Sequence, residues 1–176
     1  MIFSMIMKPP LKTNYVDDFQ TPPEALEPLY PFLKPGSTIW ECACGKGYLV
    51  KALQERGYKV IGTDILTGVD FLKTDMPEAD YIVTNPPYSL KQQFLERCYE
   101  LKKPFALLLP LTTFETAKRQ RLFKQYGLEV IFFDKRINFE TPNKIGKSSS
   151  WFATAWFTNW MNIGRAFTFV SLKSNE

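Results

Sequence analysis

The sequence predicts an α/β fold: a mostly parallel sheet with helices on both faces and an antiparallel last strand. Three observations carry this. Short apolar runs of strand length alternate with amphipathic stretches of helical period, the pattern of βαβ units. Two helical stretches stop at a glycine, Gly57 and Gly127. The chain has 176 residues, 45% of them apolar and 23% charged, which suits one core of ordinary size.

Taken in order, "STIWECA" (37–43) reads as a first buried strand after the turn at Pro35 and Gly36. "YLVKALQERG" (48–57) places Leu49, Val50 and Leu53 on one side of a helix and ends in its stop signal. "YKVIGTD" (58–64) is a second strand and "ADYIVTN" (79–85) another, followed by a helix over "SLKQQFLERCYEL". "PFALLLP" (104–110) is apolar throughout and of strand length. "ETAKRQRLFKQYG" (115–127) is a basic amphipathic helix, and "LEVIFFD" (128–134) a strand. The last strand, "WFATAWFTNW" (151–160), is rich in aromatics; a polar, basic loop precedes it at 135–150. There are no repeats and no low-complexity linker.

Composition excludes several chemistries. Cys42, Cys44 and Cys98 are odd in number, which does not suit a disulfide framework. With no histidine in the chain, the C-x-C pair makes a poor zinc site, so no metal is expected. The thiols fit a reducing, cytoplasmic compartment. The lack of histidine also removes the commonest general base. The opening "MIFSMIMK" has seven residues before its first charge, too few for a secretory core or a membrane span. A net charge of +4 is compatible with nucleic acid without demanding it.

Two segments carry candidate chemistry. "ECACGKG" (41–47) lies where the first strand turns into its helix. Gly45 and Gly47 let the backbone pass close to a ligand, and the following helix start favours an anion. Asp64 ends the second strand, at the place where doubly wound folds put the acid that binds a ribose. A dinucleotide fingerprint is incomplete because Val50 stands where its third glycine belongs, and the P-loop pattern is absent. A tight turn with an incidental acid also fits. The second segment is "TNPPYSL" (84–90), where two prolines stiffen the backbone between an asparagine and a tyrosine at a strand end.

Together, E-x-A-x-G-x-G, a strand-ending Asp and N-P-P-Y resemble the amino-directed branch of the class I S-adenosylmethionine-dependent methyltransferases. More closely, the chain resembles the small phage-type DNA N6-adenine methyltransferases, over roughly Asp18 to Phe167. The resemblance implies a Rossmann-like, seven-stranded sheet with the site at the strand carboxyl ends. It also implies one catalytic domain over 18–170, with 1–17 an N-terminal extension and 171–176 a tail. S-adenosyl-L-methionine is the implied cofactor.

The chemistry agrees. An adenine N6 amine or a glutamine amide is planar, because its lone pair is delocalised, and it carries two protons. Asn85 would accept one proton on its side-chain oxygen and the Pro86 carbonyl the other, aimed in advance by Pro86 and Pro87. Tyr88 would stack on the planar group. By resemblance, Glu41, Ala43 and Gly45 to Gly47 hold the methionine part of the cofactor, with Thr21 and Pro22 of "DFQTPPEAL" (18–26) near its carboxylate. Asp64 would take the ribose hydroxyls, Ile65 the adenine face, and Asp70 with Phe71 the adenine amine; a solvated turn acid is the plainer reading of Asp70. Cys42 stands where the family usually has proline.

Members that read sequence usually carry a further recognition domain, for which this length leaves no room. Specificity is therefore expected from the 135–150 loop or from a separate partner. In and beside that loop Lys135, Arg136, Lys144 and Lys147 would meet phosphates, and Phe139 or Trp151 would stack on a flipped base or fill its gap. A solvated hairpin with core tryptophans fits equally. DNA adenine leads as the expected substrate. RNA adenine and a protein glutamine remain alternatives, as does a non-catalytic nucleic-acid-binding or cofactor-sensing module. A nicotinamide oxidoreductase fits least.

Overall fold

In the computed structural model, residues 19–140 and 152–172 are described. Seven strands form one sheet: β1 (Thr38–Glu41), β2 (Lys59–Gly62), β3 (Tyr81–Thr84), β4 (Phe105–Pro110), β5 (Glu129–Phe133), β6 (Thr154–Asn159) and β7 (Phe167–Val170). Three α-helices connect them: α1 (Tyr48–Glu55), α2 (Lys91–Leu101) and α3 (Ala117–Tyr126). The spatial order is β2-β1-β3-β4-β6-β5-β7.

Five of the six strand pairings concern the expected layout. β1 pairs in parallel with β2 and β3, β3 with β4, and β6 runs antiparallel to both β4 and β5. The sixth adds detail that the sequence reading lacked. The antiparallel strand lies within the sheet, between β4 and β5, and a short seventh strand follows it in the chain. That strand, β7, pairs in parallel with β5 at the sheet edge. Its sequence, FTFV, keeps Phe167 and Phe169 exposed, at 55% and 80%.

Side chains alternate between two apolar layers. Ile39, Val83, Ala106, Leu108, Ile131 and Trp156 point into one, against Leu49, Ala52 and Leu53 of α1 and the 3-10 turn Pro23–Leu26. Their neighbours Trp40, Ile82, Leu107, Val130 and Phe157 point into the other, with Phe94, Leu95 and Cys98 of α2 and Leu122 and Phe123 of α3. Both faces of the sheet are covered, which is why its strands read as nearly continuous apolar runs. The Trp156 indole N–H donates to the Ala25 carbonyl at 2.6 Å and ties the first turn to β6.

The chain steps from β1 outward to β2, then returns across β1 to β3. Such a reversal opens a crevice at the strand carboxyl ends, and both candidate segments, after β1 and after β3, lie on it. Arg119, one of the basic residues of α3, is 8% exposed. Its guanidinium donates to the Thr113 and Thr112 carbonyls and fixes the turn that follows β4.

Candidate functional site

A cavity of about 280 Å³ opens at the carboxyl ends of β1, β2 and β3. Of the residues expected to hold a cofactor, Thr21, Glu41, Ala43, Gly45, Asp64, Ile65, Asp70, Phe71 and Asn85 all line it. Pro22 and Gly47 do not. Pro22 precedes the first 3-10 turn, and Gly47 is the left-handed N-cap of α1, with φ 81°. Both shape the backbone on which lining residues stand.

The glycine turn also has a neighbour within the chain. Gly45 has φ 47°, and a Cβ there would lie 2.8 Å from the Gln20 side-chain amide. The close neighbour that demands glycine is the chain's own Gln20, whose Oε1 accepts the Lys46 N–H at 3.1 Å. Asp64 also has a structural task. One carboxylate oxygen accepts the Gly45 N–H at 2.8 Å and the other the Leu66 N–H at 2.9 Å. The acid therefore clips the turn after β1 to the turn after β2, while retaining lone pairs for a hydroxyl donor.

Glu41 ends β1 and is 1% exposed. The Thr84 hydroxyl and the Ala43 N–H both donate to its Oε1. Burial raises its pKa to about 8, against the pull of those two donors, and nearby Asp64 adds to the rise. The site thus holds a neutral acid at pH 7, and a cationic ligand group beside it would draw it toward its charged form. Ile65 and Leu66 stand at the rim with 65% and 89% of their surface exposed, an apolar shelf. The sequence reading found Ile65 and missed Leu66, although the two are consecutive.

Asp70 accepts the Leu72 N–H and pairs with Lys73 at 3.1 Å, and these contacts hold its pKa below the usual carboxylate range. Phe71 is a floor residue, stacked on Phe94 with centroids 4.7 Å apart and edge-on to Trp40.

Asn85 follows β3, and its Nδ2 donates to the Phe19 carbonyl at 2.9 Å. A carbonyl can only accept, so this contact fixes which end of the amide is which. Oδ1 is left buried with no partner among the described residues, in a residue that lines the cavity. Thr21 Oγ1 is the second such orphan on the cavity wall. Buried polar atoms rarely go unpaired, and two on one wall mark a place built for a ligand. Pro87 lines the cavity as well; Pro86 is buried beside it.

Tyr88 lies past the cavity within a cluster of rings. Phe19 stacks on it at 5.5 Å with 23° between planes, and Phe139 and Phe152 meet it edge-on at 6.5 and 5.5 Å. Phe139, expected near the target, is 4% exposed within this cluster. Lys135 and Arg136 are on the surface. Lys144, Lys147 and Trp151 lie outside the described residues.

Sequence reasoning missed the strap that joins these parts. Gln20 and Glu140 form an antiparallel bridge, with N–H to carbonyl distances of 2.9 and 3.0 Å. The Glu140 carboxylate accepts the Tyr48 hydroxyl at 2.8 Å and pairs with Lys46 at 3.7 Å. A pairing between residues so far apart in the chain leaves no local signal.

The sequence matches no family model, and no curated protein is similar to it. Solved structures are. A modification subunit assigned to a type I restriction enzyme from Vibrio vulnificus superposes with a TM-score of 0.59 at 14% identity, over 90% of this chain and 48% of that one. The chain thus spans about half the length of the Vibrio protein. An S-adenosylmethionine-dependent methyltransferase from Archaeoglobus fulgidus superposes with a TM-score of 0.50 at 15% identity, over 77% of this chain and 91% of that one. Among the described residues, no helix is long and apolar enough to cross a membrane. The chain has the Rossmann-like fold of S-adenosylmethionine-dependent methyltransferases.

Proposed function

We propose that the protein transfers a methyl group from S-adenosyl-L-methionine to the exocyclic N6 amine of adenine in DNA. One observation carries this reading: the buried, unpartnered Asn85 Oδ1, in a residue that lines the cavity and whose own nitrogen is bound to the Phe19 carbonyl. An acceptor fixed in this way suits a donor with protons to give, and an adenine amine has two. The Pro86 carbonyl, on a backbone stiffened by Pro87 at φ −59°, supplies the second acceptor. Drawing on both protons pulls the nitrogen out of conjugation and frees its lone pair for the methyl group.

The cavity wall fits the cofactor. Glu41, ionised by a neighbouring cation, suits a positively charged amino group, the Thr21 hydroxyl a carboxylate, Asp64 the ribose hydroxyls, and Ile65 with Leu66 an adenine face. When bound, S-adenosylmethionine supplies a methyl group activated by its sulfonium. Asn85 and Pro86 orient the amine, and Tyr88 with its neighbouring rings keeps water away. No histidine is needed, because the proton leaves after the methyl group arrives.

Lys135 and Arg136, with Lys144 and Lys147, meet the phosphates in this reading, and Phe139 and Trp151 meet the displaced base. Sequence specificity rests with a separate partner, as suits a fold that the Vibrio protein uses as one subunit. The test offers tritiated methyl donor with DNA, RNA and a glutamine-bearing protein. Label on DNA adenine is expected. Label on RNA adenine would keep the chemistry and move the substrate; label on protein alone, or nowhere, would overturn the reading.

A further inference from the structure

The ring cluster around Tyr88 holds a feature that the transfer chemistry leaves unexplained. The Phe19 ring stacks on Tyr88, the ring expected to hold the target, while also lining the cavity. It therefore sits at the junction where donor and acceptor must meet.

A flat ring inserted between two others needs two contact layers of about 3.5 Å, or roughly 7 Å between the outer rings. Phe19 and Tyr88 are 5.5 Å apart, so no slot exists between them. The Phe19 backbone is not free to retreat. Its carbonyl holds Asn85, its neighbour Gln20 is bridged to Glu140, and the Gln20 side chain is bonded to Lys46 N–H. Any retreat from Tyr88 therefore falls to the side chain, whose rotation about χ1 leaves the backbone contacts in place.

We propose that Phe19 is a stand-in for the target base: its ring covers Tyr88 until a base enters and then turns aside, while its carbonyl keeps Asn85 in place. This rests on the methyl-transfer reading and narrows its substrate to a planar aromatic ring. Phe139 and Phe152 also stack on one another, at 6.1 Å, and close the sides of the space. Such walls offer no partners for the N–H and C=O groups that a glutamine-bearing peptide would bring. A nucleobase presents two flat faces to the rings and its amine to Asn85.

The stand-in has a cost that the target must repay, since a stacked aromatic pair has to be broken. Phe19→Ala should therefore lower the KM for a single-stranded, adenine-containing oligonucleotide by roughly two- to tenfold at saturating S-adenosylmethionine. The change should lie in KM rather than kcat. Phe19→Leu, which keeps bulk without a flat face, should lie between the two and serves if the alanine variant fails to fold. A ring that merely packs the core would, when cut back, raise KM or lower kcat alone. An unmoved or raised KM in a folded variant, with the wild type still labelling adenine, overturns the role of Phe19 only. A wild type that labels no adenine overturns both readings.

Discussion

Replacing Glu41 with glutamine tests the electrostatics of the cavity directly. The carboxyl is 1% exposed and titrates at about 8, chiefly because burial penalises its charge. The unfolded chain releases this proton above pH 4.5, whereas the folded chain keeps it until about pH 8. The folded state therefore binds the extra proton between these values, and the protein without cofactor loses stability as the pH rises through that window. From pH 5 to about pH 8 the loss runs over about 3 pH units, which at about 1.4 kcal/mol each amounts to about 4 kcal/mol. Glutamine keeps the acceptor for the Thr84 hydroxyl and the Ala43 N–H and has no proton to release. Urea unfolding of both proteins from pH 5 to pH 8.5 should show wild type falling relative to the variant by an amount of that order. Parallel curves would refute the claim that Glu41 is neutral in the folded protein.

Two further outcomes follow from the site geometry. Asn85→Ala should reduce methyl transfer at least about 100-fold, as loss of an aimed polar group does. Calorimetry should find cofactor affinity nearly unchanged, since Oδ1 serves the amine. Gly45→Ala should destabilise more than Gly47→Ala. Both have positive φ, worth about 1–2 kcal/mol, but only at Gly45 would the new Cβ also meet a neighbour, 2.8 Å away. Thermal melting of the pair checks the order.

The reasons for what the sequence disclosed are physical. β4 and its flanking helices were legible because FALLLP is apolar throughout, α2 buries one stripe, and α3 packs Leu122 and Phe123 against the same layer. The N-P-P-Y segment and the glycine turn stood out because their chemistry is local. β7 did not, since four residues with half their side chains exposed carry little pattern. The insertion of β6 between β4 and β5 is a choice among pairings that no single strand encodes. The Phe19 ring, the Gln20–Glu140 bridge and the buried guanidinium of Arg119 depend on contacts that only the folded chain creates. The Gln20 side chain beside Gly45 is likewise a neighbour that the local sequence does not announce.

The placement of β6 has a consequence for biosynthesis. Both strands that flank β5 in the sheet, β6 and β7, are translated after it. Until residue 159 has left the ribosome, β4 presents a bare edge of six apolar residues, and β5 has nowhere to dock. Nascent chains stalled in this interval would be a target for chaperones and a seed for aggregation, so slow codons would be tolerated poorly between β5 and β6.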